Sequence, residues 1–597
     1  MASFDVSDMP VHANQEIEAG RRPFFLSKEA VPLLVTLAAG AICYGLFIKR
    51  GVGLPILGYN ISTAERVMLG EFPYRDFLYN YTPGVLWLNA GLMKLMGTSL
   101  IAVNAGLFAF KLAALIALYV VASRVTNSKA ALIPVALTLA WVGYRVVLRP
   151  YPTQYSMLFV LLGLICILNF DKSGKTRWLL LCGAAIGLVF VFKQNVGLLL
   201  LGSATTAVSL RGLLGPAPFI NLRDRIIDTA KNASICWAGF ALIVAALFIY
   251  IAWAGALGPM SDHFFSLAGE YGAKRAITLP PLRLLAPVTA GVLAVFVIAF
   301  LALRKAPRLF EPFVIAVLAV GATLLLIPGR LSAVKDSATA TISYIPFLLL
   351  ILVFATFAWG FKNDRHSAER RNTWWLRSGP ILMVALFALG AYSEVYPRAD
   401  YAHLVRTLPP IFLLLSLAAG QMVPVLTRYF QNFLPSARRA ALLCAAAPLV
   451  FMCIIGIKDT WQPRFDSRFQ FVDQTPLTIE RARGMLVSRR QAAFIEDLTA
   501  AIDSNSSQDD YIFSFAPRVT AFYFLSSRRN PTRLVWWRSA GIKKADRDAV
   551  VEKIAQGIPK LVLIPEGFHN NEVLDQIASR YHQVGTVTDI RIYDRNQ

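Results

Sequence analysis

The sequence predicts a polytopic α-helical membrane protein of about thirteen spans with a small external α/β domain at its C-terminus. Of its 597 residues, 56% are hydrophobic and only 16% are charged. The mean hydropathy is +0.53. Soluble domains carry about 25% charged residues, so most of this chain does not have the composition of a soluble enzyme.

Apolar runs recur along the first 457 residues, each close to the roughly 20 residues that cross a bilayer. The pair 178–192 and 196–210 is separated only by Lys193-Gln194-Asn195, a connection that also suits a hairpin penetrating partway into the membrane. The predicted spans are 29–48, 99–123, 130–148, 155–170, 178–192, 196–210, 233–257, 286–303, 312–328, 344–361, 378–395, 408–424 and 440–457.

Lysine and arginine accumulate in alternate loops, as expected of loops that stay cytoplasmic. With the N-terminus inside, an odd number of spans places everything after Ile457 outside. The first span lacks the small-residue cleavage pattern of a signal peptide, so it is predicted to be a retained anchor. The predicted domains are a cytoplasmic segment 1–28, a membrane domain 29–457 with an external first loop 49–98, and an external domain 458–597.

The formal charge of +23 belongs mainly to the predicted cytoplasmic loops. The tail from Asp459 onward has 19 Lys and Arg against 17 Asp and Glu, so the charge reflects topology and no nucleic-acid partner is predicted. All six cysteines lie within predicted spans, which excludes a disulfide framework or a cysteine metal site in the tail.

The tail alternates short β-type runs with helical periodicity. It contains no glycine-rich phosphate loop and no nucleophile elbow, so a role in support or acceptor recognition is predicted. The basic aromatic segment 527–538 suits either a scaffold surface or contact with anionic headgroups. Predicted strands are Tyr511–Ala516, Ala521–Ser526, Leu561–Pro565 and Val587–Tyr593, and predicted helices are 490–504, 546–556 and 571–581.

The most informative stretch follows the first span and combines aromatic with charged residues. It reads Gly70-Glu71-Phe72-Pro73-Tyr74-Arg75-Asp76-Phe77, followed by Thr82-Pro83-Gly84. This stretch resembles the first external loop of the GT-C superfamily of integral-membrane glycosyltransferases, above all the bacterial relatives of the protein O-mannosyltransferase and aminoarabinose transferase group. Further similar pieces are Arg149–Thr153, Lys193–Gly197, Arg398–His403 before Pro409-Pro410, and the C-terminal α/β domain.

The resemblance implies transfer of a sugar from a polyprenyl-phosphate donor to an acceptor on the external face of a bacterial inner membrane. It implies a single displacement that inverts the anomeric centre, without a cofactor. The acceptor hydroxyl needs a carboxylate base, the departing phosphate needs cations, and the prenyl tail needs an apolar groove. The sugar stays open, and so does the acceptor, which is a lipid, a glycan or a protein.

Asp76 is the leading candidate for the catalytic base. Desolvation among Tyr74, Phe77 and Tyr79 is expected to raise its pKa. The alternative is that Asp76 only pairs with a neighbouring arginine. Glu65 and Glu71 are interpreted as exposed charges on surface helices.

Many members of the superfamily carry an acidic residue upstream of the Pro-Tyr-Arg-Asp element. The corresponding stretch here, Gly58–Ala64, contains no carboxylate. Asp76 therefore either takes over the role of base or is only a substrate contact, and a non-catalytic member stays open.

The predicted substrate-binding residues are loop or outer-face side chains that suit a phosphate or its sugar. Lys193 and Arg149 are favoured for the phosphate because each sits at a span end, where the alternative is snorkelling alone. One helical turn brings Asp400 beside His403 or Arg398. The predicted set is Tyr74, Arg75, Arg149, Lys193, Arg398 and His403.

Asp262 and Glu270, in a predicted loop at 261–275, and Asp400 are secondary candidates on the same face. Asp262 and the adjacent His263 have no spacing typical of a metal site, so no metal is predicted. Within the spans, Lys111 is the most unusual residue, and its depth predicts a partner or a water-filled pocket.

Two other function classes fit a chain with many spans. A transporter or lipid flippase is expected to show repeated halves with broken helices, and no such repeat is present in the sequence. A non-catalytic envelope assembly protein is the third class, because the upstream acid is missing.

Overall fold

The computed structural model describes residues 30–141, 149–216, 221–274, 279–326, 331–364, 368–395, 401–461, 473–537 and 542–596. Helices dominate the first 461 residues, and strands occur only after residue 473 within these ranges. The predicted combination of a helical membrane protein with a small C-terminal α/β domain is therefore confirmed.

The first half of the helical region contains long apolar helices with recognisable ends. The Ser99 hydroxyl accepts the Ala102 N–H at the start of α5, and left-handed Gly174 ends α7. The elements are α1 Ala30–Gly45, α2 Leu54–Ile56, a π-helix Leu57–Ile61, α3 Ser62–Met68, α4 Gly84–Met96, α5 Leu100–Val125, α6 Leu132–Ala140, α7 Pro152–Ser173, α8 Arg177–Phe192, α9 Gln194–Leu214, α10 Leu222–Trp253 and α11 Leu257–Lys274.

The second half continues in the same manner, with short 3₁₀ turns between helices. Its elements are a 3₁₀ turn Leu282–Leu285, α12 Ala286–Lys305, a 3₁₀ turn Pro307–Leu309, α13 Phe310–Leu326, α14 Leu331–Asp364, α15 Ala368–Tyr392, a 3₁₀ turn Ser393–Val395, α16 Tyr401–Arg406, α17 Leu408–Phe430 and α18 Ala437–Trp461.

Within the described residues, eight helices are long and apolar enough to cross a membrane, and three shorter apolar helices, α1, α4 and α8, accompany them. The uncertain pair of spans corresponds to α8 and α9, which are separated by Lys193 alone because its extended backbone breaks the helix. These helices make the chain a multi-pass membrane protein.

The C-terminal domain contains a β1–β2 hairpin and a four-stranded mixed sheet in the order β3-β4-β6-β5. Strands β3 and β4 are parallel, whereas the other two pairings of this sheet are antiparallel. The elements are β1 Gln474–Pro476, a 3₁₀ turn Glu480–Ala482, β2 Leu486–Ser488, α19 Arg489–Asn505, β3 Ile512–Ser514, α20 Ala521–Leu525, α21 Lys544–Ala555, β4 Leu561–Pro565, α22 Asn571–Arg580, β5 Tyr581–Val587 and β6 Ile590–Arg595.

Two local predictions were wrong, and a third was right only in part. The predicted strand 521–526 is the short helix α20. All five of its residues are buried, so the sequence lacks the alternation of apolar and polar residues that indicates a helix. The predicted strand 587–593 is right in its main part, because 590–593 belong to β6 and Val587 ends β5. Only Thr588, at φ 57°, and Asp589 form the hairpin turn between them. The segment around Asp262 and His263, predicted as a loop, is helix α11, and its buried Met260 and His263 and its partly buried Phe264 share one face.

The C-terminal domain packs directly on the start of the helical region. One cluster of buried apolar residues includes Leu86, Phe387 and Phe522, so the core is continuous across the two parts. Gly58 lies so close to Thr520 that a Cβ atom built on it would come within 1.8 Å of the threonine hydroxyl. Only glycine permits this approach of the π-helix to α20.

Candidate active site

The stretch around Asp76 forms a tight turn held by its own backbone. The Tyr74 N–H donates to the Phe77 carbonyl at 2.6 Å, and Tyr74 itself has a positive φ of 70°. This conformation is uncommon for a tyrosine. The Tyr74 hydroxyl donates to the Tyr81 carbonyl at 2.5 Å, and Arg533 of the C-terminal domain donates to the Tyr74 carbonyl at 2.6 Å. Tyr74 is therefore a fully buried part of the turn.

The Asp76 carboxylate receives three hydrogen bonds in this turn. Arg75 donates Nε to Oδ1 at 2.9 Å and Nη2 to Oδ2 at 2.7 Å, and the Phe72 N–H donates to Oδ2 at 2.7 Å. The hydrogen bonds from Arg75 hold the pKa of Asp76 below its ordinary value. The expected rise of this pKa by desolvation was wrong, since 31% of the side chain is exposed and the guanidinium outweighs burial.

The C-terminal domain supplies part of the wall of this loop. The Leu78 N–H donates to the Arg533 carbonyl at 2.9 Å, and Arg66 bridges the Thr532 carbonyl at 2.9 Å and the Asp76 carbonyl at 3.2 Å. In the same segment, the Arg528 side chain is 5% exposed and pairs with Asp503 at 2.9 Å. These contacts favour the scaffold interpretation of the described part of segment 527–538.

Glu65 is buried, so its interpretation as an exposed surface charge was wrong. It is 8% exposed, and its Oε1 accepts from Arg481 of the C-terminal domain. Burial raises the pKa of Glu65, although Arg481 opposes this rise. The residue lines a polar cleft between α3 and the C-terminal domain. Periodicity within the loop did not reveal this site, because the partner lies 416 residues away.

A second group of charges is buried among the helices. Glu394 has no exposed side-chain surface and pairs with Lys193, while Arg406 lies 3.8 Å from its other oxygen. His403 is near enough to interact with the same carboxylate electrostatically. Two predicted residues, Lys193 and His403, are thus brought together. Sequence reasoning missed Glu394 and did not favour Arg406, and the only available signal was a carboxylate at the end of an apolar run.

The buried cluster is linked to the first loop through aromatic rings. The Lys193 ammonium lies 5.4 Å from the centre of the Tyr81 ring, and Tyr81 accepts the hydroxyl hydrogen bond of Tyr74. On the other side, the Arg406 guanidinium lies 3.7 Å above the Tyr151 ring. The cluster therefore lies between the loop and the interior of the helical region.

Arg406 also lines a cavity among the helices, which is called the first cavity below. Lys111 lies in its wall and donates to Gln154 at 2.9 Å, which confirms the prediction of a partner for this lysine. The Arg406 Nε is buried and makes no hydrogen bond within the described part of the chain. The rest of the wall is largely apolar, including Leu115, Leu118, Trp141, Met157, Leu161 and Phe412.

Other predicted residues lie elsewhere. Arg149 lines a separate cavity that shares no lining residue with the first. Asp262 is 71% exposed at its side chain and pairs with Lys543 at 3.2 Å. The neighbouring His263 is buried, with Nε2 3.0 Å from the Asn80 side-chain oxygen. Arg398, Asp400 and the side chain of Glu270 lie outside the described residues.

Among the described residues, no group of three or more histidine, cysteine, aspartate or glutamate side chains is placed to hold a metal ion. In particular, Asp262 pairs with a lysine and Asp76 with an arginine. Both carboxylates are therefore engaged by cations of the protein.

Residues 80–215 match the model of the dolichyl-phosphate-mannose-protein mannosyltransferase family. The matched segment includes Arg149 and Lys193 and begins just after the turn that contains Asp76. Over this segment, the match confirms the resemblance to membrane glycosyltransferases. No curated protein sequence matches the chain.

Several solved structures are similar in chain trace. The archaeal oligosaccharyltransferase AglB from Archaeoglobus fulgidus, in complex with an inhibitory peptide and a dolichol-phosphate, is 12% identical with a TM-score of 0.46, over 95% of this chain and 74% of that chain. ArnT from Cupriavidus metallidurans bound to undecaprenyl phosphate is 13% identical with a TM-score of 0.44, over 94% of this chain and 97% of that chain.

Proposed function

We propose that the chain is a glycosyltransferase of a bacterial inner membrane that moves a sugar from a polyprenyl-phosphate donor to an acceptor on the external face. The observation that supports this most directly is the first cavity, where the donors of Lys111 and Arg406 meet a largely apolar wall. The name of the matched family includes a polyprenyl-phosphate sugar donor, dolichyl-phosphate-mannose. A phosphate with a long apolar chain suits such a cavity, because the phosphate meets the basic donors and the chain meets the apolar wall.

The charges of the cluster suit a leaving phosphate. Lys111, Lys193 and Arg406 are three basic side chains, and Glu394 pairs with two of them, Lys193 and Arg406. A sugar phosphodiester carries one negative charge, and the departing phosphate monoester gains a second as the glycosidic bond breaks. Cations that outnumber the carboxylate therefore stabilise the transition state more than the ground state.

Each basic side chain has a distinct proposed role. The free Nε of Arg406 and the Lys111 ammonium contact phosphate oxygens. Lys193 acts by holding Glu394, which in turn fixes Arg406. His403 and Arg398 stay predicted contacts of the donor in this proposal. The leucine, tryptophan and phenylalanine side chains of the wall receive the first isoprene units.

Asp76 is proposed as the base that accepts the proton of the acceptor hydroxyl. Its lowered pKa keeps it ionised at neutral pH, and Arg75 fixes the direction of its oxygens. Glu65 is the competing carboxylate, because its burial raises its pKa toward that of a stronger base. The proposal places the acceptor between the first loop and the C-terminal domain, on the external face.

The experiment is donor consumption by the purified full chain in lipid vesicles, using labelled polyprenyl-phosphate hexoses and pentoses. Lys111→Gln and Arg406→Gln are compared with Lys129→Gln, which removes an exposed charge. We expect the two cavity variants to lose about tenfold or more in consumption, while the control is unchanged.

Asp76→Asn and Glu65→Gln are measured in the same assay to assign the base. Collapse of consumption in only one of them identifies that residue. Absence of consumption with every donor, together with no binding of farnesyl phosphate, would contradict the transferase and favour a transporter or an assembly protein.

A further inference from the structure

The polar cleft between α3 and the C-terminal domain, called the α3 cleft below, has a volume of about 180 Å³. At roughly 10 to 15 Å³ for each water-sized group, on the order of a dozen such groups fit inside it. That is the size of one sugar ring with its substituents. Of the fifteen residues that line the cleft, only Leu69 and Val535 are aliphatic. The α3 cleft therefore suits a small ligand with many hydrogen-bonding groups.

Four arginines line the α3 cleft, and three of them are engaged by the protein. Arg66 donates to Glu71 at 2.7 Å, and Arg528 pairs with Asp503 at 2.9 Å. Arg481 pairs with the carboxylate of α3. These three side chains form the walls of the cleft, and the fourth arginine is available to a ligand.

The fourth arginine, Arg529, is exposed at the cleft, and its side chain makes no hydrogen bond or ion pair with the described residues. Its backbone is nevertheless fixed, because its carbonyl accepts the Ile512 N–H at 2.9 Å. Ser527, two positions earlier, has a positive φ of 59°, which turns the chain sharply before this residue. A guanidinium on a fixed backbone loses less conformational freedom when it binds a ligand.

Glu65 presents an oxygen to the same space. The residue is 8% exposed, and its Oε1 accepts from Arg481. Its Oε2 accepts no hydrogen bond from the described residues and is not sealed off from solvent. Arg529 interacts electrostatically with this carboxylate, so a cation and a hydrogen-bond acceptor lie near each other in the α3 cleft.

We propose that the α3 cleft binds one acidic sugar residue of a glycan acceptor, an inference that rests on the proposed function for the role of its ligand. Arg529 pairs with the carboxylate or phosphate group of that sugar. Glu65 Oε2 accepts a hydrogen bond from a ring hydroxyl. Four arginines against three carboxylates leave one positive charge in excess, which favours an anionic ligand over a metal cation or a neutral sugar.

The α3 cleft is close to the first loop but separate from the cavity proposed for the donor. Arg66 lines the cleft and donates to the Asp76 carbonyl at 3.2 Å, so one arginine side chain connects the cleft to the turn. The cleft shares no lining residue with the first cavity. A glycan with one residue in the cleft therefore extends toward Asp76, where its attacking hydroxyl is held at a high effective concentration.

The experiment is saturation-transfer NMR of the purified full chain with methyl glucuronide and with glucose 6-phosphate. Dissociation constants are obtained by titration for wild type, Arg529→Gln and the control Arg490→Gln. Both variants remove an exposed guanidinium, and Arg490 does not line the cleft. We expect Arg529→Gln to bind the acidic sugars about tenfold more weakly, with the control equal to wild type.

A change of the ligand gives the same test without a mutation. The carboxyl methyl ester of methyl glucuronide keeps every ring hydroxyl but carries no charge. We expect wild type to bind the ester as weakly as Arg529→Gln binds the acid. Equal binding of acid and ester by wild type contradicts the proposal, because the charge is then not recognised.

Three other outcomes also contradict the proposal. Equal binding of an acidic sugar by wild type and Arg529→Gln shows that the sugar binds elsewhere. Inorganic phosphate that binds as tightly as glucose 6-phosphate assigns the cleft to a free anion. N-acetylaspartate that binds as tightly as methyl glucuronide assigns the cleft to acidic peptides.

Failure of this inference is distinguishable from failure of the proposed function. Consumption of a polyprenyl-phosphate sugar, with no binding of either acidic sugar, contradicts the inference alone. Binding of an acidic sugar that depends on Arg529, with no consumption of any donor, contradicts the transferase and supports the cleft as a sugar-binding site.

Discussion

Two regions of this molecule use ion pairs in opposite ways. In the buried cluster, Glu394 has no exposed side-chain surface and holds Lys193 and Arg406. In the first loop, Asp76 is 31% exposed and pairs with Arg75, which is 47% exposed. Water replaces a lost partner in the loop but not among the helices. Burial of the carboxylate, rather than the number of its partners, therefore sets the cost of removing it.

The largest effect is expected for Glu394→Gln. Loss of this carboxylate leaves Lys193 and Arg406 buried without their counter-charge, and the free energy of unfolding is expected to fall by about 3 to 5 kcal/mol. Thermal unfolding in detergent measures the change, with the exposed Glu480→Gln as control. Equal melting temperatures of the two variants would show that the ion pairs of Glu394 contribute little to the free energy of unfolding.

The second effect is expected for Arg481→Gln, which leaves Glu65 buried without its cation. We expect a loss of about 1 to 3 kcal/mol at neutral pH. The pKa of Glu65 is raised. At pH values just above the ordinary pKa of a glutamate, the folded state therefore binds more protons than the unfolded state. Stability therefore falls as pH rises through this window. The variant is expected to melt closer to wild type at pH 5 than at pH 7.

The control for this pH effect is the double variant Glu65→Gln/Arg481→Gln, which has no carboxylate to titrate. Its difference from wild type should lack the additional pH dependence of Arg481→Gln. A single variant whose loss of stability is the same at both pH values would contradict the assignment to Glu65.

The third effect, Asp76→Asn, is expected to be small for stability and large for activity. Its exposed pair contributes less than about 1 kcal/mol. The lowered pKa of Asp76 means that its contribution is present above the ordinary aspartate range and lost as pH falls below it. Donor consumption is expected to fall about a hundredfold. A variant with normal consumption would move the base to another carboxylate.

The smallest effect is expected for Lys543→Gln. The pair with Asp262 is exposed on both sides, so the change in the free energy of unfolding is expected to stay within about 0.5 kcal/mol. The same melting experiment measures it. A loss comparable to that of Arg481→Gln would show that burial is not what separates the two regions.

Local patterns predicted much of the fold but little of the site. The apolar run Leu561–Pro565 is a strand as predicted, and Lys111 has the expected partner. The similar composition of 521–526 forms a helix because tertiary packing decides fully buried short segments. Lys193 and Arg149 both lie at span ends, yet the structure places them at different sites. Sequence position cannot distinguish them, because their neighbours come from remote segments.

The same limitation explains the carboxylates. Glu65 and Asp76 are eleven positions apart in one loop, and their sequence surroundings favour Asp76 as the desolvated one. The reverse is observed, because Arg481 and the C-terminal domain cover Glu65. The pKa of each carboxylate depends on contacts with remote segments, and no local sequence pattern records those contacts.

The contacts between the first loop and the C-terminal domain have a consequence for biosynthesis. Arg50 bonds Gln474 across 424 positions, and the partners of Ser62, Arg66 and Tyr74 are more distant still. At roughly 5 to 20 residues per second of translation, the loop waits about 20 to 90 seconds for these partners. During that interval Glu65 lacks Arg481 and the Tyr74 turn lacks Arg533. A nascent chain interrupted before residue 474 therefore presents the first loop without any of these partners.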